Sequence, residues 1–121
     1  RQMCIRDSFI SLQIETILGI ENQDEIIATE NADAIFLGPG DLSVNFGIPG
    51  ETMHEKVIQT IEDLTAKISA SGKHTGTLGV TPEQTIFWQQ RGINWIVSSA
   101  PKFLQAGAAA YLDEIKPTLG I

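Results

Sequence analysis

Two carboxylates stand where apolar runs end. Ser11-Leu-Gln-Ile closes on Glu15-Thr16, and Ala34-Ile-Phe-Leu runs into Gly38-Pro39-Gly40-Asp41-Leu42-Ser43. A buried strand whose last side chain emerges at the mouth of a sheet or barrel reads this way. The separation of Glu15 from Asp41 is that of one strand–helix–strand crossover. Consecutive parallel strands usually pack side by side, ~4.8 Å apart. Both carboxylates then converge at the carboxyl ends of neighbouring strands, where such folds place their sites. Two hard oxygen ligands with open positions suit Mg²⁺ or Mn²⁺. Taken alone, Glu15 also reads as a surface residue at a strand end, and Asp41 as the cap of a short turn. Gln13 shares a strand face with Glu15; it is either a donor to that carboxylate or an ordinary polar layer residue.

The elements that must position these residues alternate. Phe9–Ile14 reads as a strand, Asn22–Asn31 as a short helix with Ile26 and Ile27 inward, and Ala34–Leu37 as a second strand. Gly38 to Gly50 reads as a Gly/Pro-rich loop, long enough to be functional. Thr52-Met-His-Glu55 fits a capping box, and Val57, Ile61, Leu64 and Ile68 then recur at helical spacing until Ser71-Gly72. His74–Val80 is a third strand. Thr81-Pro-Glu-Gln84 starts another helix, with Pro82 at its first position, and Arg91-Gly92 ends it. Asn94–Ser98 is a fourth strand. A last helix from about Lys102 carries Leu104, Ala108, Tyr111, Leu112 and Ile115 on one face, and Lys116-Pro117 stops it. Strand then helix, four times over, predicts an α/β fold with parallel strands. An eight-stranded (β/α)8 TIM barrel takes ~250 residues, so four units are half of one; an open four-stranded sheet is the competing reading.

Bulk properties narrow the partners. A formal charge of −7 argues against nucleic acid. No apolar run reaches the ~18 residues of a bilayer span, so no membrane role is expected. One cysteine permits no internal disulfide and points to a reducing, cytoplasmic setting. Cys4 has no base nearby and is no credible nucleophile. Residues 1–8 show neither alternation nor a helical stripe and read as a foreign flank before a domain spanning 9–121. His54 reads as exposed in a first helical turn. His74 starts a strand, far from the site. Trp88 and Trp95 read as packing residues, and Glu62 and Asp63 as a solvated helix face. Zinc, phosphate-loop and dinucleotide spacings are missing.

Four motifs carry a resemblance: Gln13-Ile-Glu-Thr16, Gly19-Ile-Glu-Asn22, Ile35-Phe-Leu-Gly-Pro-Gly-Asp-Leu-Ser43 and Gly47-Ile-Pro-Gly50. The chain resembles the second half of the HpcH/HpaI aldolases, within the phosphoenolpyruvate/pyruvate-binding barrel superfamily, over about Leu12 to Ile115. The resemblance implies a metal-dependent (class II) aldolase, a carbon–carbon lyase that reversibly cleaves a 4-hydroxy-2-oxo acid to pyruvate and an aldehyde. It places a divalent metal, Mg²⁺ or Mn²⁺ with Co²⁺ also acceptable, on Glu15 and Asp41. It implies that backbone groups of Gly38, Pro39 and Gly40 bind the small 2-oxo acid, and that the full-length protein assembles as a trimer-based hexamer; Gln13, from its place on the strand face beside Glu15, is expected among the substrate-binding residues with them. The family's arginine and proton-shuttling histidine fall outside this half, so no catalytic acid or base is assigned, and the chain alone is expected to be inactive. Ser98-Ser99-Ala100-Pro101 departs from the family's usual Ser-Asp after the last strand. A citryl- or malyl-thioester lyase-like relative and an inactive structural fragment are the alternatives.

Overall fold

A computed structural model of the chain describes residues 8–120. The expectation of a foreign flank over 1–8 falls, but for Ser8, on residues outside those described, as does the reading of Cys4. The element order is β1 (Ser11–Ile14), α1 (Ile17–Glu21), α2 (Gln23–Ala28), β2 (Ala34–Leu37), α3 (Pro39–Asn45), α4 (Glu55–Ala70), β3 (His74–Leu78), α5 (Pro82–Gln89), β4 (Trp95–Val97) and α6 (Ala100–Leu119). The strands form one parallel sheet in the order β1-β2-β3-β4. This is the α/β arrangement of four barrel-type units that the alternation predicts.

Each strand divides its side chains between two faces. Ile14, Ile35 and Leu37 join the buried core, together with Leu42 of α3, Val57, Ile61, Leu64 and Ile68 of α4, and Trp88 of α5. Thr77 sits on the same face and donates its hydroxyl to the Leu37 carbonyl at 2.8 Å. The opposite face carries Gln13, Phe36, Gly76 and Trp95. Trp95 meets Phe9 and Phe36 edge-on, with ring centroids 5.1 and 5.8 Å away. Gly76 is obligatory beneath that ring: a Cβ there would lie 2.4 Å from Trp95 Cε3.

Several boundaries differ from the sequence reading, each for a local reason. Gly38–Gly50 is not all loop, because Pro39 occupies the first turn of α3, where its fixed φ fits and its missing N–H costs nothing. The Thr52–Glu55 capping box does not form. Helix α4 starts at Glu55, and the His54 ring Nδ1 accepts the Lys56 N–H at 3.1 Å as its cap. The helix expected at Asn22–Asn31 forms as α2, with Asn22 at its N-cap, but ends early at Ala28; a separate short helix, α1, precedes it, capped by Thr16 Oγ1, which accepts the Gly19 N–H at 3.0 Å. Pro117 does not stop α6; it lies within the final turns, and Gly120 ends the helix in a left-handed conformation, φ 69°. The face of Leu104, Tyr111 and Leu112 buries nothing in this chain: α6 has no buried residue. Glu62 is no purely solvated residue, since it accepts from Arg91 Nε at 2.7 Å, and the Arg91 guanidinium also lies over the Phe87 ring.

Candidate active site

The site grows from the paired ends of β1 and β2. Ile14 and Leu37 are register partners, and the Gly38 N–H donates to the Ile14 carbonyl at 3.2 Å, which extends the pairing one residue further. Glu15 therefore leaves its strand directly beside the Gly38 backbone. A Cβ at position 38 would lie 2.9 Å from Glu15 Cβ, 3.0 Å from Glu15 Oε2 and 3.3 Å from Gln13 Nε2. Only glycine leaves room for that approach. Gln13, two residues back on the same strand face, donates its amide to Glu15 Oε2.

Helix α3 brings the second carboxylate. Gly38 is its N-cap residue, Pro39 and Gly40 form its start, and Asp41 stands in its first turn, where the helix dipole favours negative charge. Pro39, Leu42 and Ser43 face inward and fix the helix on the core, which leaves Asp41 exposed. The buried Ser43 hydroxyl donates to the Gly40 carbonyl at 2.6 Å and accepts the Gly50 N–H at 3.0 Å, tying the helix to the turn that follows it.

Glu15 and Asp41 come within hydrogen-bonding reach of each other. Partial burial at the strand end raises the Glu15 pKa above the ordinary carboxyl value, and the Asp41 charge and its hydrogen bond add to the rise; the Gln13 amide opposes it. Two carboxylates held together repel unless a proton or a cation lies between them. The donor set is all oxygen and doubly negative, and it fits a hard divalent cation that keeps water or substrate oxygens in its remaining positions. Among the described residues no cluster of three or more His, Cys, Asp or Glu adds a further protein ligand.

Of the residues singled out in the sequence, Gln13, Glu15, Gly38, Pro39, Gly40 and Asp41 converge. His74 starts β3 at the other end of the sheet and packs near Phe9, with centroids 6.2 Å apart. His54 caps α4, and Arg91 pairs with Glu62. Trp88 is a core residue. A cleft of about 480 Å³ opens away from the carboxylates, beside Ile20, Gln23, Asp63 and Lys67. Two contributors had no role in the sequence reading: Ser43, which stood only as the end of a motif, and Asn45. The signal for Asn45 is its spacing of four residues from Asp41, which has meaning only once α3 is recognised as a helix.

Comparison with known proteins bears on family and fold. The sequence profile of the HpcH/HpaI aldolase/citrate lyase family matches residues 4–108. The 2-keto-3-deoxy-L-rhamnonate aldolase of Escherichia coli is 34% identical over 108 residues, covering 86% of this chain and 39% of the relative. The 5-keto-4-deoxy-D-glucarate aldolase of Salmonella arizonae is 36% identical, covering 88% of this chain and 42% of the relative. The chain thus spans about two-fifths of the length of these relatives. The crystal structure of an HpcH/HpaI aldolase from Desulfitobacterium hafniense superposes with a TM-score of 0.78 at 32% identity, over 89% of this chain and 42% of that one. Motifs, fold and profile coincide, and the chain belongs to the HpcH/HpaI aldolase/citrate lyase family.

Proposed function

We propose that this chain carries the cation- and oxo-acid-binding part of a metal-dependent aldolase site, one that reversibly cleaves a 4-hydroxy-2-oxo acid to pyruvate and an aldehyde. The observation that carries the reading is the meeting of Glu15, at the end of β1, with Asp41, in the first turn of the helix that follows β2, with the Gly38 backbone close against Glu15. Relatives named for cleaving keto-deoxy sugar acids support the substrate class.

Glu15 and Asp41 are the residues that would hold Mg²⁺ or Mn²⁺. A bound divalent cation supplies the positive charge that draws electron density from a substrate keto group. Gln13 holds Glu15 in place through Oε2. Pro39 is buried and sets the direction of the first turn of α3. The Gly40 and Asp41 N–H groups of that turn have no acceptor within the helix and are available to a substrate carboxylate. Gly40 leaves the space for it, since a Cβ there would meet nothing within 4 Å. Among the described residues, neither histidine and no arginine reaches the carboxylates, so proton transfer calls for groups beyond those described.

Titration of the 121-residue chain with Mn²⁺, followed by the electron paramagnetic resonance of the free ion, tests the reading. Binding is expected to tighten with added pyruvate and to vanish in Asp41→Asn, which keeps the shape and loses the charge, with the thermal melt retained. Release of pyruvate from a 4-hydroxy-2-oxo acid is expected only when the first half of a family aldolase is supplied with the chain. Equal Mn²⁺ binding by Asp41→Asn, or pyruvate release in metal-free buffer, would refute the assignment.

A further inference from the structure

We infer that Asn45 is the residue that sets the spacing between the Glu15 and Asp41 carboxylates. The inference rests on the two-carboxylate reading above and adds to it a positioning residue with no contact to the cation or the substrate.

Glu15 and Asp41 belong to different elements. Glu15 follows β1, and Asp41 rides on α3. Strand pairing fixes β1 against β2, but it ends at Gly38, ahead of Asp41. Pro39, Leu42 and Ser43 seat α3 on the core, and the Asn45 carboxamide adds the direct polar link between the first turn of α3 and the β1–α1 turn. Its Nδ2 donates to the Asp41 carbonyl at 2.9 Å, one helical turn back, and to the Glu15 carbonyl at 3.3 Å. Its Oδ1 accepts the Ile17 N–H at 3.5 Å. One planar group thereby touches the backbone of both carboxylate residues and of the residue that opens α1. The assignment of the amide is also fixed: its nitrogen faces two acceptors and its oxygen faces a donor, so a flipped group would lose all three contacts.

The chemistry of the link explains why a carboxamide stands here. Aspartate has no protons for the two carbonyls and would add a third negative charge beside two others. Leucine matches the volume and makes none of the bonds. Serine is too short to span from α3 to the neighbouring turn. Asn45 is itself exposed, so its place in the fold does not come from packing. Groups that orient metal ligands from outside the coordination sphere are typically worth ~10–100-fold in metal affinity. The longer contacts of Asn45 place it at the lower end, ~10-fold.

The test uses Asn45→Leu and Asn45→Ala in the 121-residue chain. Mn²⁺ affinity is compared with the unaltered chain and with Asp41→Asn, and amide hydrogen exchange at Ile17 and a crystal structure are taken without metal. The expected result is a ~10-fold weaker Mn²⁺ affinity in both variants, with the thermal melt within a degree or two, faster exchange at Ile17 and carboxylates further apart. Unchanged Mn²⁺ affinity with unchanged Ile17 exchange overturns the inference. Should the unaltered chain and Asp41→Asn bind Mn²⁺ equally, the cation reading fails by itself. The metal-free measurements then decide for Asn45: a changed carboxylate separation in the variants upholds its positioning role, and an unchanged one removes it.

Discussion

Replacing Gly38 by alanine probes the site at its tightest point. The backbone at Gly38 has φ −92° and ψ 91°, a region open to alanine, so no backbone strain enters. The entire effect must come from the methyl group. That methyl would sit 2.9 Å from Glu15 Cβ and 3.0 Å from Glu15 Oε2. The first of these atoms is anchored to the backbone and cannot swing away, so the Glu15 side chain must shift as a whole. Overpacking of this kind costs about 1–3 kcal/mol, and alanine is also a poorer helix N-cap than glycine. A loss of about 2 kcal/mol lowers the melting temperature of a chain this long by about 8 °C. Gly40→Ala is the matched control: its methyl meets nothing within 4 Å, and its stability should stay within about 0.5 kcal/mol. Thermal melts of both variants, with and without Mn²⁺, make the comparison. Gly38→Ala should also lose Mn²⁺ affinity, because the displaced group is a proposed ligand, whereas Gly40→Ala should keep it. Equal melting temperatures and equal Mn²⁺ affinities in the two variants would refute the argument that Gly38 exists to admit Glu15.

Two further outcomes are expected. The raised Glu15 pKa makes the folded chain hold that proton more tightly than the unfolded chain, so the stabilisation is full below the ordinary value of 4.5 and is lost as pH rises through the raised one. Without metal, the melting temperature of the unaltered chain relative to Glu15→Gln should therefore fall across that window and then level off; a difference independent of pH would contradict the shift. The lowered Glu83 pKa has the opposite sign, but it is common to both proteins and cancels. Gly76→Ala would place a methyl 2.4 Å from Trp95 Cε3 and 3.1 Å from Phe36 Cδ2, costing about 2 kcal/mol or more in urea unfolding. Trp95→Leu in the same chain should recover part of that loss, and strict additivity of the two changes would argue against the contact.

What the sequence disclosed, and what it concealed, follows from the range of each interaction. Strands β1 and β2 and the carboxylates that follow them were legible because each strand is a short apolar run, and the break to Glu15 or to Gly38 marks its end. Helix α3 was concealed by its own start signals: Gly38 and Pro39 suggest a loop, yet they serve as the cap and first residue of a helix. With α3 hidden, the relation of Asn45 to Asp41 had no meaning, and its bond to Glu15 spans thirty positions, beyond any local pattern. The pairing of Glu62 with Arg91 was hidden for the same reason. Helix α6 shows the converse failure. Its apolar periodicity is real, but periodicity reports a face and not what covers it; Phe103, Leu104, Tyr111 and Leu112 all remain exposed in this chain.

The two tryptophans lie on opposite sides of one sheet, and this gives the molecule two separate optical reporters. Trp88 is 1% exposed, in the helix-side core with the Phe87 ring edge-on at 4.9 Å. Its emission belongs at short wavelength, shielded from acrylamide. Trp95 is half-buried on the other face, between Phe9 and Phe36. Its emission belongs further to the red, open to the quencher. A polypeptide that closes over the inner face of the sheet would shift and protect Trp95 alone, whereas loosening of the helical layer would expose Trp88 alone. Single-tryptophan variants would then tell barrel closure from unfolding in one cuvette, without a label.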